Sequence, residues 1–436
     1  MLPTDSDEAL REAAHALIPG GCHTYAKGDD QYPANAPAFL VRGAGCRVWD
    51  RAGREFIEYA SGLRSVTLGH GYEPVVHAAA VQMAMGTNFS RPHPVEVEAA
   101  RDLLALLPAA EMVKFAKDGS TVVSAAVKLA RAHTGRVKVA ICAEHPFFSY
   151  NDWFMVTTGI PAGIPPQRSE ETLRFRYNDL ASAQALFANH PGQIACVVLE
   201  PARTEEPQPG FLRSLQALAH EHGALFVLDE MITGFRWHLG GAQAVYGLEP
   251  DLATFGKALG NGFAISALVG KRRFMDLGGI RHAAERVFLL STTHGAETHA
   301  LAAARAVIAT YRDQDVVGQL YRQGARLRQG VQAAIAEIGI AAHFALAGRD
   351  CALLYSTLDT EGRPSQAFRT LFLQELVRGG VLAPSFMVGC AHTDADIDRT
   401  VEIVKRALSV YRDALEGGVQ RFLEGPAVKP VYRRFN

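Results

Sequence analysis

Three short runs, Val137 to Cys142 (VKVAIC), Gln193 to Leu199 (QIACVVL) and Ala224 to Leu228 (ALFVL), are almost continuously apolar and show no period-2 alternation. Strands need such runs when both of their faces are buried, which happens where helices cover a parallel sheet. Helical patterns lie between them. Val123, Ala126, Val127 and Ala130 recur at i, i+3, i+4 and i+7, and Leu212, Leu215 and Leu218 mark a second helix ending at Gly223. The stretch from about 110 to 270 is therefore predicted to be α/β with a mostly parallel central sheet. Beyond about 300 long helices are expected, including Gly318 to Ile338 and Asp394 to Leu415. At roughly 150 residues per domain, the 436 residues suit an N-terminal segment (1–60) packing with a small α+β domain (309–436) around a large domain (61–308).

A strand–helix–strand crossover is almost always right-handed and leaves its strands parallel, so Glu200 and Asp229, which follow two of these runs, are expected at one carboxyl edge of the sheet. Open α/β sheets bind their ligands at that edge. Lys257 lies 28 residues after Asp229, in Thr254-Phe255-Gly256-Lys257-Ala258-Leu259-Gly260. A lysine between glycines suits Schiff-base chemistry, although lysines are mostly plain surface residues. Asp229 alone can be a ring-nitrogen partner, a metal ligand or a helix cap. The turn Asp118-Gly119-Ser120-Thr121 opens a helix after Val113-Lys114-Phe115. It offers backbone N–H groups, hydroxyls and the positive end of a helix, the makings of a phosphate site or of an ordinary capped N-terminus.

Other function classes are excluded or disfavoured. With 44 basic and 45 acidic residues and no long run of like charge, nothing marks a nucleic-acid or anionic-membrane partner. No stretch is long and apolar enough for a membrane span, and the acidic start Asp5-Ser6-Asp7-Glu8 lacks the form of a secretory signal, so a cytoplasmic location is expected. Six cysteines are dispersed without a C-x-x-C pair; they read as reduced, and no metal is expected. The mononucleotide and dinucleotide glycine motifs are absent.

A phosphate cradle, an aspartate and a lysine on one sheet edge are what pyridoxal 5′-phosphate requires: an anchor, a group that keeps the ring nitrogen protonated, and an amine that holds the aldehyde. The order Gly119-Ser120 with Leu129-Ala130-Arg131-Ala132-His133-Thr134-Gly135-Arg136, then Leu228-Asp229-Glu230-Met231-Ile232-Thr233-Gly234-Phe235-Arg236, then Thr254-Phe255-Gly256-Lys257, resembles the class III aminotransferases of fold type I. Within them it is most similar to the branch containing glutamate-1-semialdehyde aminomutase. The resemblance extends to Pro19-Gly20-Gly21, Leu68-Gly69-His70, Ser291-Thr292-Thr293-His294-Gly295 and His392-Thr393-Asp394-Ala395-Asp396-Ile397, nearly the whole chain.

The resemblance implies that Lys257 forms the internal aldimine, Asp229 pairs with the ring nitrogen, and Gly119 and Ser120 bind the phosphate. It sets Phe147 where the family usually has a tyrosine stacked on the ring, and Met231 where a valine packs on the other face. Glu200 matches an acidic position near the site. Thr292 matches a threonine that reaches the neighbouring subunit's phosphate, which implies a homodimer with shared sites. Lys27 stands opposite an arginine that holds the aminomutase substrate, and Arg64, Arg91 and Arg236 are further candidates for an acidic or polar substrate. Asp118 replaces a serine beside the phosphate, which is unfavourable unless it turns away to cap the helix. The segment Pro384 to His392 is shorter than in the aminomutase and lacks its glutamate. The expected activity is amino transfer from an amino acid donor to a small polar carbonyl acceptor, a keto acid or a sugar-like compound. The alternatives are an intramolecular aminomutase and a cofactor-binding protein without activity.

Overall fold

A computed structural model of the chain describes residues 6–145, 147–202 and 204–434. It divides into two compact units. One consists of Arg64–Val66 and Tyr72–Val317; the other takes the described residues up to Leu63, Thr67–Gly71 and those from Gly318 onward. The N-terminal segment thus groups with the C-terminal part, and the division falls in the first turn of the helix Val316–Ile338.

In the larger unit the apolar runs become strands of a seven-stranded sheet. These are β1 (Met112–Ala116), β2 (Lys138–Cys142), β3 (Thr172–Phe175), β4 (Ile194–Leu199), β5 (Leu225–Asp229), β6 (Leu252–Phe255) and β7 (Ser266–Gly270). Their spatial order is β1-β7-β6-β5-β4-β2-β3. From β6 to β3 all neighbours are parallel, and β7 runs antiparallel to both β6 and β1. Every residue of β4 and β5 is buried, which is why neither run alternates.

Helix α1 (Gly119–Thr134) follows β1 and covers the sheet with Val122, Val123, Ala126, Val127, Leu129 and Ala130. Asp118 caps it: Oδ1 accepts from Thr121 N at 2.9 Å and Oδ2 from the Thr121 hydroxyl at 2.9 Å. Gly135, at φ 67°, ends the helix in the left-handed conformation that glycine adopts without steric cost. The arginines after this helix face are fasteners. Arg131 donates to Val137 O (2.8 Å) and to Glu171 (3.0 Å), and Arg136 to Ile194 O (3.0 Å) and His222 O (2.7 Å).

The smaller unit holds a four-stranded sheet of Leu40–Ala44, Arg47–Asp50, Glu55–Glu58 and Val381–Leu382, the last strand parallel to Glu55–Glu58. A hairpin pairs Phe344–Ala347 with Leu354–Thr357. The helices Gln366–Arg378 and Asp394–Gly417 pack here, the latter opened by a Thr393/Asp396 capping box. Among the described residues no helix is long and apolar enough to cross a membrane.

Candidate active site

The parallel register of β4 and β5 pairs Leu199 with Leu228, so the next residues, Glu200 and Asp229, leave adjacent strand ends side by side. Neighbouring strands lie roughly 4.8 Å apart. Both carboxylates are buried, at 5% and 4% exposure. On the other side Asp229 is in register with Thr254 of β6. Asp229 Oδ1 accepts from the Thr254 hydroxyl at 3.1 Å and from Met231 N at 2.9 Å. Burial, and then the Glu200 charge, push the Asp229 carboxyl up to about 7, while Lys257 pulls the other way. Glu200 Oε2 is buried without a hydrogen-bond partner.

Lys257 follows β6 at the start of the short turn Lys257–Gly260. Its φ of 47° is unusual for a residue with a side chain. Such strained backbone persists only where its surroundings enforce it, and it concentrates at functional sites.

Met231 joins the phosphate turn to the lysine turn. A Cβ on Gly119 would meet the Met231 Cε at 3.1 Å, and one on Gly256 would meet it at 2.3 Å. Both glycines are small because the thioether occupies the space. Ser120 is buried, and its Oγ accepts from Tyr150 N at 3.2 Å, which leaves the hydroxyl proton as a donor. The structure thus brings together Gly119, Met231, Lys257, Asp229, Thr254 and Glu200.

The remaining sequence candidates are carried by other segments. Phe147 is 43% exposed, edge-on to Phe154 with ring centroids 5.9 Å apart. Thr292 is exposed and closes its own turn, its carbonyl accepting from Gly295 N at 3.2 Å. Arg91 is exposed just before the helix Pro94–Leu104. Lys27 belongs to the smaller unit, where it lines a cleft of about 630 Å³ with Arg11, Arg42, Glu58 and His70. Arg64 ends a left-handed turn in which Ser61, Gly62, Leu63 and Arg64 have φ of 47°, 55°, 59° and 73°. Arg236, a substrate candidate by sequence, is 1% exposed.

Two residues were not singled out by sequence. Glu230 is fully buried and accepts from the Thr233 hydroxyl, from Ala242 N at 2.8 Å and from Gln243 N at 2.7 Å, tying down the loop after β5. Its place after Asp229, on the opposite face of an extended chain, is the only signal it gave. His145 is also buried, and its Nδ1 accepts from Glu200 N at 3.0 Å, which puts the ring proton on Nε2.

The donor set fits pyridoxal 5′-phosphate. The N-terminus of a 16-residue helix with Ser120 would suit a phosphate, the buried aspartate would suit a ring N–H, and Glu200 Oε2 is a further buried acceptor.

Comparison with known proteins agrees. Residues 28–342 match the family described as Aminotransferase class-III, and the chain belongs to that family. It is 34% identical over 440 residues to a glutamate-1-semialdehyde 2,1-aminomutase of Roseiflexus castenholzii, covering 96% of this chain and 100% of the relative. A 3-aminobutyryl-CoA aminotransferase of Cloacimonas acidaminovorans is 30% identical, with 93% of this chain and 98% of the relative covered. Among solved structures, the FumI protein of Sphingopyxis sp. MTA144 in its PLP internal aldimine form superposes with a TM-score of 0.86 at 28% identity, covering 94% of this chain and 97% of that one. The fold is that of the fold-type I transaminases, and the cofactor is pyridoxal 5′-phosphate.

Proposed function

We propose that the chain is a transaminase moving an amino group from an amino acid donor to a small polar carbonyl acceptor in two half-reactions. The observation that carries this reading is the convergence of Lys257, Asp229 and the N-terminus of α1 at the carboxyl edge of the sheet. When bound, pyridoxal 5′-phosphate supplies an electron sink for the bond pair left at the substrate carbon. The protein's residues do the rest. Lys257 Nζ would hold the cofactor's aldehyde and, as a free amine, would take the proton from the substrate Cα. Asp229 accepts the ring N–H and keeps the ring protonated. Gly119 and Ser120 would hold the phosphate, Met231 and Phe147 would pack against the ring, and Glu200 would lie near the Asp229 end of the cofactor.

Lys27, Arg64 and Arg91 are proposed to meet the acidic or polar end of the substrate. Thr292, exposed on its loop, is proposed to complete the phosphate site of a second subunit in a homodimer. A cytoplasmic location belongs to the same reading and is supported by the six free cysteines.

Transfer is favoured over mutation within one substrate because Lys27 offers a point charge in place of a forked arginine, and because Pro384 to His392 lacks the mutase glutamate. Weaker retention lets the keto product leave. One equivalent of amino donor without acceptor is therefore expected to release free keto acid stoichiometrically. Conversion of glutamate-1-semialdehyde to 5-aminolevulinate with no keto product in solution would establish the mutase instead.

A further inference from the structure

We infer that Glu297 is a positioning residue which clips the turn bearing Thr292 to the strand end bearing the phosphate turn, so that the Thr292 hydroxyl is set in place before an anion reaches it. The inference rests on the reading of Thr292 as a phosphate contact for a second subunit.

Thr292 opens a tight turn in which Gly295 N donates to Thr292 O at 3.2 Å. His294, inside that turn, donates from Nδ1 to Glu297 Oε1 at 2.7 Å, and the Lys117 ammonium donates to Glu297 Oε2. Lys117 stands between the last residue of β1 and Asp118, the cap of α1. One carboxylate thus joins the two segments. The far side of the turn is fastened separately. Asn88 Nδ2 donates to Thr293 O at 2.9 Å, while Thr298 donates through its hydroxyl to Gly86 O at 2.7 Å and through its N–H to Thr87 O at 3.0 Å.

Two observations speak against a glutamate placed there for stability alone. Glu297 is the N-cap of the helix Thr298–Asp313, a position that favours Ser, Thr, Asp or Asn, and its side chain makes no cap bond. Its partners are also wet: the Lys117 side chain is 33% exposed and that of His294 61%. Ion pairs at such exposure add little to stability. What the clip supplies is geometry. A hydroxyl on a free surface turn loses conformational entropy when it meets an anion, and a turn held from both sides has already lost it. The Lys117 bond also holds the Glu297 carboxyl below the usual carboxylate range, against the effect of burial, and the His294 bond acts in the same sense.

The test measures binding of pyridoxamine 5′-phosphate, which has no aldehyde to bond Lys257, to the apoprotein. Thr292→Val is expected to weaken binding roughly tenfold, as for one hydrogen bond to a charged group, and Glu297→Gln about fivefold with the melting temperature nearly unchanged. Because Glu297 acts through Thr292, the double variant should bind as Thr292→Val does alone. Lys117→Met should match Glu297→Gln, whereas Lys117→Arg, which keeps the charge, should bind as the wild type does. Unchanged binding in Glu297→Gln, or a double variant in which the two losses multiply, overturns the inference and leaves the reading of Thr292 intact. Normal binding in Thr292→Val removes that reading and the inference with it. Should Glu297→Gln not fold, Lys117→Met breaks the same bond from its other end and is read in its place, alone and combined with Thr292→Val.

Discussion

Asp229 Oδ1 and the Thr254 hydroxyl lie 3.1 Å apart across a parallel strand pair whose register sets the two residues opposite each other. That bond, with the one from Met231 N, engages one carboxylate oxygen and aims the group from the strand end. A charge-assisted hydrogen bond to a ring nitrogen contributes roughly 1.5–3 kcal/mol, and it matters most when charge builds up on the ring. Asp229→Asn is thus expected to slow proton removal from the substrate by roughly a hundredfold or more, and to weaken cofactor binding less than it slows that step. Rapid-mixing kinetics of the donor half-reaction, set against cofactor titration, measure the two effects separately.

Met231 gives a steric prediction. Gly256 has an extended backbone (φ 177°), so alanine there is blocked by the Met231 methyl and not by its dihedral angle. Gly256→Ala should cost roughly 1–3 kcal/mol through overpacking. Met231→Ala vacates the space, so the double variant should lose less than the sum of the two singles, a coupling that chemical denaturation of all four proteins would reveal.

Asp118 turns its carboxylate onto Thr121, accepting from its N–H and its hydroxyl as the helix cap. Asp118→Ala should therefore cost about 1 kcal/mol of stability through loss of the cap, without loosening the cofactor phosphate. Asp118→Ser, which restores a capping oxygen, should recover most of that stability. Melting curves combined with cofactor dissociation constants decide this.

Titration of Glu230 gives a pH dependence. Burial lifts its carboxyl from 4.5 to about 7, against the bonds from Thr233, Gln243 and Ala242. The native state then binds the proton more tightly than the unfolded chain, so this contribution is complete below about 4.5 and is lost as pH rises toward about 7. Apoprotein stability should carry a downward slope from this group of at most ~1.4 kcal/mol per pH unit, and Glu230→Gln should remove it. His392 acts oppositely: burial lowers it from 6.5 to about 4, so its contribution is present above about 6.5 and is lost as pH falls toward 4. Unfolding of wild type and Glu230→Gln across this range separates the two.

The sheet was legible because strands buried on both faces must be continuously apolar, and β4 and β5 are. Asp229 and Lys257 were legible because strand ends and glycine-flanked turns announce themselves locally. Glu230 and His145 were not, since their partners lie in loops whose path depends on tertiary packing; Glu230 bonds to Ala242 and Gln243, and His145 to Glu200. The left-handed turn at Ser61–Arg64 gave no signal beyond Gly62, as nothing local favours positive φ at the serine, leucine and arginine.

Identification of the lysine that bears the cofactor tests the account most directly. Borohydride reduction of the holoenzyme fixes the carbon–nitrogen link as a stable secondary amine, and peptide mass mapping then locates the pyridoxyl phosphate adduct. The account predicts the adduct on Lys257, and its absence from reduced Lys257→Ala, which should be without transaminase turnover. An adduct on another lysine in the wild type, or undiminished turnover in Lys257→Ala, would contradict it.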